Sequence, residues 1–516
     1  MTTTAYFQKE KDFYISKQEC LESKFNQSSI NPRYKTFLQS HFTAGDEEQF
    51  EQYRDATNNS IFCPQNISLK SNIFWDDVIP IWDNYQDIQA NAIIDTFRYI
   101  FNKFKKGIFV KIVNNKLRVF LPFSKHNFSN EWKDKIKVEP KYKSINDFIK
   151  FLTEQAGYRF NPTLVNPNID EWYGNNCLIR YDLTKVQIPN GNTFRPDFIP
   201  TEGDSNVGNV KNMLEVLCAT RKIPDIEFFI NRRDFPLLTR DGTEPYNNIW
   251  GTNTPLVSHH YSKYCPILSM STSDIYADLA MPTWEDWARV QSAEGIWFPK
   301  SCRDYNEIFN QEWATKIPIA VFRGGSTGCG TTVETNPRLK IASLASKQDP
   351  DNIYLNAGIT NWNLRPRKIE SQEYLQTIDI KSLGFGVVSK MSPKEQSNYK
   401  YIVNIPGHVA AFRLSIELNM GSVILLVDSP WKLWYSHLLI PYRHYVPVKH
   451  DLSNLINQIK WCRDNDDKCQ EIVASAKEFF NTYLQKDGIM DFMQKMLVDL
   501  KNTMGNYIYN SVSPLK

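Results

Sequence analysis

The sequence lacks long apolar runs and has almost no excess charge of either sign. No stretch of about 18 apolar residues occurs, the length that a membrane-spanning helix needs. The first residues, MTTTAYFQKEKDFYISKQ, also lack the apolar core of a signal peptide. With 60 Lys and Arg against 57 Asp and Glu, the net charge is +3, which does not suggest the dense basic surface of a nucleic-acid-binding protein. We therefore expect a cytoplasmic chain with no transmembrane segment and no nucleic-acid partner.

The residue patterns of a disulfide framework or a metal centre are also missing. The nine cysteines include no C-x-x-C pair, their odd number argues against complete pairing, and no histidine-rich cluster occurs. Asp464-Asn465-Asp466 has the spelling of a D-x-D metal motif, but it lies between two predicted C-terminal helices, where a solvated turn is the simpler interpretation. We therefore expect reduced thiols and no metal cofactor.

A glycine-rich loop follows a predicted strand at Ile317 to Lys340. Pro318 to Phe322 are mostly apolar and predict a short buried strand, and four glycines come directly after it. Thr335 then suits a helix N-cap, and the next residues are apolar at helical spacing. Glycines let the backbone approach an anion, and the start of a helix adds N–H groups and a positive dipole end. The loop is therefore predicted to hold a phosphate group.

Two other interpretations of this loop stay open. Gly325 to Thr332 fits the P-loop outline G-x-x-x-x-G-K-[ST] except at the lysine, where Thr331 stands. Without that lysine, no charge reaches the β and γ phosphates, so a P-loop NTPase is disfavoured. A glycine-rich turn that binds nothing is the plainer alternative.

A β-α-β unit follows further along the chain. Tyr401 to Ile405 and Val423 to Val427 predict two strands, and Val409 to Met420 predict the helix between them. Arg413 falls in the first turn of that helix, where its guanidinium could contact a diphosphate held by amide groups. A surface arginine on an ordinary helix is the alternative.

The chain before about residue 310 also has α/β character. GIFVKIVNNKLRVFLPF predicts two strands around Asn114-Asn115, KNMLEVLCATRK predicts a helix, and IEFFIN predicts a strand that ends just before Asp234. Ligands of such sheets lie beyond the carboxyl ends of the strands, where Asp234 and the glycine loop both fall. A cleft between an N-terminal and a C-terminal half is therefore predicted. A salt-bridge cluster with Arg232 and Arg233 is the alternative role for Asp234.

Several ordered blocks resemble the protein O-glucosyltransferase family, which includes Rumi, the KDEL-motif proteins and the capsule-associated xylosyltransferases of fungi. The blocks in the C-terminal half are FRG with its loop, YKYIVN with the downstream AAFR, GSVIL and HYVPVKHDLSNL. Those in the N-terminal half are IPDIEFFINRRDFP and SMSTSDIYADLAMPTWEDW, so the resemblance covers roughly residues 220 to 500. Heavy use of Asn, Lys, Ile and Tyr fits a member from a large DNA virus or a protist. A viral member would act in the host cytoplasm or the virion.

The resemblance implies an α/β fold of the GT-B type, with two Rossmann-like lobes and an N-terminal α+β accessory region. A last helix, predicted over 487–502, would pack back toward the first lobe. The expected domains are an N-terminal arm (1–70), the accessory module (71–160), the acceptor-side lobe (161–310), the donor lobe (311–485) and a C-terminal helix and tail (486–516).

The implied activity is transfer of a hexose or pentose from a UDP-sugar to a hydroxyl of a glycan or protein, with inversion and without a metal. Rumi-type members often read RGSRT where this chain reads RGGST, with Ser326 in place of the second arginine. The loop is closer to the RG(S/T)TG form of fungal and bacterial branches, which favours a glycan acceptor. The alternative is a non-catalytic descendant that serves as a structural or carbohydrate-binding component, for example in a virus particle.

The resemblance also assigns roles to individual residues. Asp234 matches the catalytic base of the family, which would take the proton of the attacking hydroxyl. The run DLAMPTWEDW is similar to the D-I-x-x-P-x-W-x-x-W block, so Asp278, Pro282 and Trp284 are expected in the sugar or acceptor pocket, together with Arg233 beside Asp234. The residues expected to bind the donor are Arg323, Gly324, Gly325, Ser326, Thr327, Arg338, Gly407, His408, Val409, Ala410 and Arg413.

Overall fold

The described part of the chain is built on two five-stranded sheets, one before residue 310 and one after it. The predicted arm over 1–70 lies outside the described residues. The computed structural model describes residues 106–113, 115–124, 138–143, 205–240, 264–290, 311–328, 330–364 and 373–511, with a few single positions before 152 and at 309.

The first sheet has its most buried strand at its centre. The strand order is β2-β1-β3-β4-β5; β1 is antiparallel to β2 and β3, whereas β3, β4 and β5 are parallel. Every residue of the IEFFIN strand is buried, and each of its two phenylalanines contributes roughly 1.5–3 kcal/mol to folding. The strands are β1 (Lys106–Val113), β2 (Lys116–Ser124), β3 (Ile226–Asn231), β4 (Ile267–Ser269) and β5 (Leu279–Ala280).

The β1-β2 hairpin corrects one expectation about the accessory region. The sequence predicts a separate module over 71–160 that contains this hairpin. In the structure β1 pairs with β3 from Gly107 opposite Asn231 to Ile112 opposite Ile226, because the exposed edge of a hairpin is completed by a neighbouring strand. The hairpin is therefore part of the same sheet as the strand that leads to Asp234. The other domain bounds stay predictions.

The second sheet is entirely parallel, in the order β10-β9-β8-β6-β7. Numbered along the chain, this is the doubly wound strand order 2-1-3-4-5. The chain builds the sheet outward in one direction from its first strand, β6, and in the other direction from its third strand, β8, so the switch point lies between these two strands. Ligands of such sheets lie beyond the carboxyl ends of the strands at that switch point, where the glycine-rich loop and residues 405–413 are found. The strands are β6 (Ile317–Gly325), β7 (Leu355–Asn361), β8 (Tyr399–Asn404), β9 (Val423–Val427) and β10 (Val446–Val448).

The helices cover the sheets, and the last one returns to the N-terminal half. Arg221 binds Asp491 at 2.8 Å and Asp487 at 3.0 Å, which confirms the predicted contact of the last helix with the first half. The helices are α1 (Ser205–Thr220), α2 (Trp284–Val290), α3 (Pro337–Gln348), α4 (Pro393–Gln396), α5 (Leu414–Glu417), α6 (Leu455–Asp464), α7 (Asp466–Tyr483) and α8 (Lys486–Ser511).

The structure corrects one predicted helix and confirms one predicted turn. The helix predicted over Val409 to Met420 is only α5, because residues 407–413 form turns that contact other parts of the molecule. Asn465 separates α6 from α7, so the D-x-D spelling does mark a turn.

Over the described ranges, no helix is both long and apolar enough to cross a membrane. In the same part of the chain, no three His, Cys, Asp or Glu side chains gather as metal ligands would.

Candidate active site

Asn336 fastens the glycine-rich loop to the start of α3. The predicted N-cap was Thr335, but the structure places Asn336 there, and its Oδ1 accepts from the backbone N–H of Arg338 at 3.0 Å. Its Nδ2 donates to the carbonyl oxygen of Gly330 at 3.1 Å. A Cβ at Gly328, where φ is 151°, would lie 2.8 Å from that same Nδ2. The loop is therefore shaped by one amide side chain and by the absence of a side chain opposite it.

Arg338 joins this loop to the segment after β8. Its Nε donates to the Pro406 carbonyl at 3.0 Å, its Nη2 to the Ile405 carbonyl at 2.9 Å, and its Nη1 to the Gly325 carbonyl and the Thr327 hydroxyl. None of these four acceptors is a carboxylate. Burial lowers the pKa of Arg338 to about 9, so the guanidinium still carries its charge at pH 7. A buried positive charge thus lies where the two loops meet.

Arg413 adds a second guanidinium beside the first. Its Cζ lies 5.4 Å from the centre of the Phe322 ring, and that of Arg338 lies 6.0 Å from the same centre. Arg413 also donates to the Arg323 carbonyl at 3.0 Å and pairs with Glu417 at 2.8 Å.

Glu417 is the carboxylate that faces this pair of cations. Burial raises the pKa of Glu417, and the charge of Arg413 and a hydrogen bond from Asn404 oppose that rise. The Asn404 amide donates at 2.5 Å. When ionised, Glu417 balances one of the two positive charges of Arg338 and Arg413. The site is therefore electrically suited to a bound anion such as a diphosphate.

The two loops touch at Gly407. A Cβ there would lie 2.8 Å from the Thr327 hydroxyl and 3.1 Å from Arg338 Nη2. A Cβ at Gly324 would likewise meet the Phe322 ring at 3.0 Å. Both positions favour glycine because the backbone passes so close to neighbouring side chains that a Cβ would have little room.

Two predicted donor-binding residues, Arg323 and Ser326, use their side chains for hydrogen bonds within the protein. Arg323 donates to the carbonyl and the side chain of Asn356 at 2.8 and 2.7 Å, because alternate residues of a strand face opposite sides of the sheet. The buried Ser326 hydroxyl accepts from the Asn363 N–H at 2.7 Å. Neither side chain faces the Arg338–Arg413 pair, and both support the loop from behind.

His408 and its neighbours lie where the two halves meet. The His408 ring is 6.5 Å from the ring of Phe235, which also makes an edge contact with Trp431 at 5.6 Å. Val409 is buried and Ala410 is half-buried. Because Phe235 directly follows Asp234, the segment after β8 is in contact with the segment that carries the candidate base.

Asp234 lies at the mouth of a small cavity between the halves. Its side chain is exposed, and the cavity of about 50 Å³ has room for a few water molecules. Phe412, which precedes Arg413, is the described lining residue that comes from the C-terminal half. The cavity is lined by Ile108, Val210, Asn231, Arg232, Arg233, Asp234, Met270, Trp284 and Phe412.

The four predicted pocket residues divide into two groups. Arg233 and Trp284 line the cavity, whereas Pro282 is buried and does not line it. Asp278 lies behind the wall and accepts from the backbone N–H groups of Leu237 and Leu238 at 2.8 and 2.7 Å. Burial raises the pKa of Asp278 to about 6, against the effect of these hydrogen bonds. Its expected place in the pocket is therefore corrected: it holds the segment after Asp234.

Glu285 is an ionisable residue beside Trp284 that was not among the predicted site residues. Burial raises the pKa of Glu285, Arg289 and Arg413 lower it, and Asp286 and Asp234 raise it. The Glu285 carboxylate is thus within electrostatic range of both Asp234 and Arg413. Its position directly after Trp284 in the PTWEDW block was the available signal.

Comparison with known proteins identifies the family of this chain. Residues 178–505 match the model described as glycosyl transferase family 90. The chain is 47% identical to protein 179R of Invertebrate iridescent virus 6, over 93% of this chain and 44% of that protein. It is 28% identical to protein O-glucosyltransferase 3 of Homo sapiens, over 55% of this chain and 48% of that protein. It is 26% identical to protein O-glucosyltransferase 1 of Mus musculus, over 61% of this chain and 71% of that protein.

These matches confirm the suspected resemblance and extend it to viral proteins. The chain spans less than half the length of the iridescent virus and human proteins, at 44% and 48%. The family match, in contrast, covers most of this chain, including both sheets from β3 onward and every cavity-lining residue except Ile108. The chain therefore belongs to glycosyl transferase family 90.

Proposed function

We propose that this chain transfers a sugar from a UDP-sugar to a hydroxyl group of a glycan or a protein, with inversion at the anomeric carbon. The observation that carries the proposal is the position of Asp234 at a cavity that is also lined by Phe412, the neighbour of Arg413. A base and a cationic anion site thus face one cleft from two different sheets. The proposal includes the GT-B arrangement, in which donor and acceptor meet between two lobes.

The diphosphate of the donor would lie between the glycine-rich loop and Arg413. The carboxyl ends of β6 and β8 are the binding position expected for this strand order. The Arg338 charge is held there by neutral oxygens, and Glu417 is shared with Arg413. A diphosphate would supply the negative charge that these side chains lack.

The reaction would be a single displacement at the anomeric carbon. The acceptor oxygen forms a bond to that carbon as the bond to the UDP oxygen breaks, and the electron pair leaves with UDP. The Asp234 carboxylate takes the hydroxyl proton late in this step, when bond formation has made the hydroxyl acidic. The guanidinium of Arg413, assisted by the fixed charge of Arg338, stabilises the negative charge that develops on UDP. These two cations supply the role that a divalent metal has in other transferases, so we propose a metal-independent reaction.

A panel of nucleotide sugars tests the proposal. Calorimetry should detect binding of one or more UDP-sugars, and release of UDP should increase when a glycan or peptide acceptor is added. Chelator should not reduce that release, and added Mg²⁺ or Mn²⁺ should not be required. Binding without UDP release under any acceptor would favour the non-catalytic alternative, and no binding of any nucleotide sugar would contradict both the donor site and the reaction.

A further inference from the structure

A buried polar network joins α2 in the N-terminal half to α5 in the C-terminal half. Asp286 Oδ1 accepts from the Ser415 hydroxyl at 2.7 Å, and Asp286 Oδ2 accepts from Trp434 Nε1 at 3.0 Å. The three residues are 1%, 0% and 2% exposed. One carboxylate of the first half is therefore held by two donors of the second half, away from water.

The carboxylate is fixed within its own helix as well. Thr283 and Asp286 exchange two hydrogen bonds of 3.0 Å, each from a backbone N–H to the other side chain, as in a capping box. Arg289 pairs with Asp286 and also donates to the Ser415 hydroxyl. Because these bonds leave Asp286 little freedom, it presents a rigid acceptor to the opposite half.

The network lies directly behind the cavity. Asp286 follows Trp284 by two residues, and Ser415 follows Phe412 by three, so each side of the network is attached to a residue that lines the cavity. Arg413 is held separately, by the Arg323 carbonyl and by Glu417, which both belong to its own half. Loss of the network would therefore leave Arg413 in place while removing the buried contact between the halves that lies nearest the cavity.

We propose that Asp286 and Ser415 are positioning residues that set the register between the half carrying Asp234 and the half carrying Arg413. The inference rests on the proposed function and names the device that aligns its base with its donor site. A displacement of about 1 Å between reacting groups can cost on the order of 100-fold in rate. The network should therefore affect the turnover number and leave the affinity for UDP unchanged.

The test compares two serine-to-alanine variants. Ser415→Ala removes the donor to Asp286 and should lower kcat by about 10- to 100-fold with unchanged UDP affinity in calorimetry. Ser422→Ala is the matched control, because this buried hydroxyl donates to the Tyr399 carbonyl at 2.7 Å entirely within the C-terminal half. It should lower thermal stability without lowering kcat. Asp286→Asn, which keeps the shape of the side chain, should reproduce the kcat loss of Ser415→Ala.

Hydrogen–deuterium exchange supplies a readout that does not need turnover. Ser415→Ala should accelerate exchange at residues 283–290 of the opposite half, whereas Ser422→Ala should not. A folded Ser415→Ala variant with normal kcat, or with unchanged exchange at 283–290, would overturn the inference. If the unaltered chain transferred no sugar, the proposed function would fail by itself. Faster exchange at 283–290 would then still show the contact between the halves, without a role in transfer.

Discussion

Replacement of Arg413 by methionine should weaken UDP binding and also destabilise the fold, because one guanidinium serves both purposes. The Arg413 side chain is 30% exposed, while the Glu417 side chain that it pairs with at 2.8 Å is only 2% exposed. Methionine keeps most of the stem that packs over Phe322 but removes the charge. Glu417 would then be a buried carboxylate that retains its hydrogen bond from Asn404 and has lost its cation.

The stability loss can be bounded from the chemistry of Glu417. A carboxyl group with an ordinary pKa of 4.5 can be protonated at pH 7 for about 3.4 kcal/mol, at about 1.36 kcal/mol per pH unit. The part of the loss that comes from Glu417 should therefore not exceed about 3.4 kcal/mol at pH 7. Burial raises the folded pKa of Glu417 above its unfolded value, so the penalty is absent below pH 4.5 and grows as the pH rises. At pH 5.5 the upper limit of this penalty is about 1.4 kcal/mol.

Urea unfolding at pH 5.5 and pH 7, combined with calorimetry of UDP binding, separates the two roles. Loss of a charge-assisted contact of about 1.5–3 kcal/mol should weaken UDP binding by roughly 10- to 100-fold. Adding Glu417→Gln to Arg413→Met removes the buried charge, so most of the stability should return while UDP binding stays weak. Unchanged UDP affinity in Arg413→Met, or recovery of affinity in the double variant, would refute the assignment of Arg413 to the donor site.

Three further changes test other parts of the C-terminal half. Burial lowers the pKa of Lys316 to about 8, so between pH 8 and 10.5 the unfolded chain holds a proton that the folded chain has lost. The free energy of unfolding should therefore rise by about 3 kcal/mol across that window. Urea unfolding of Lys316→Met should lack this rise. Asn336→Ala removes the cap of α3 and should cost about 1–2 kcal/mol in the same assay, with weaker UDP binding by calorimetry because the glycine-rich loop is released. Gly407→Ala places a methyl group 2.8 Å from the Thr327 hydroxyl and should also weaken UDP binding, and unaltered affinity would show that the two loops need not touch.

The buried strands were predictable because their residues form short, continuous apolar runs. IEFFIN and VILLV are continuous apolar runs of the kind found in strands covered on both faces, and β3 and β9 have the predicted bounds. The length of the helix after β8 was overestimated because tertiary contacts override its helical pattern. Its apolar spacing suits a helix, but Phe412 lines the cavity and Arg413 donates to β6, and these contacts hold residues before Leu414 in turns.

The direction of individual side chains was harder to predict. Asp278 is a support because two N–H groups about 40 residues earlier in the chain face it, which only the folded backbone determines. Arg323, in contrast, could have been predicted to point away. Phe322 and Gly324 share one face of β6, so strand alternation alone puts the Arg323 side chain on the other face.

The effect of Asp234→Asn on transfer and on donor binding tests whether this carboxylate is the base. The substitution removes the proposed base at the mouth of the cavity and leaves Arg338, Arg413 and the glycine-rich loop untouched. We expect UDP affinity equal to that of the unaltered chain, together with a loss of transfer of at least about 100-fold, the range of general-base catalysis. Full transfer activity in a folded Asp234→Asn chain would show that this carboxylate does not act across the cleft from a bound diphosphate.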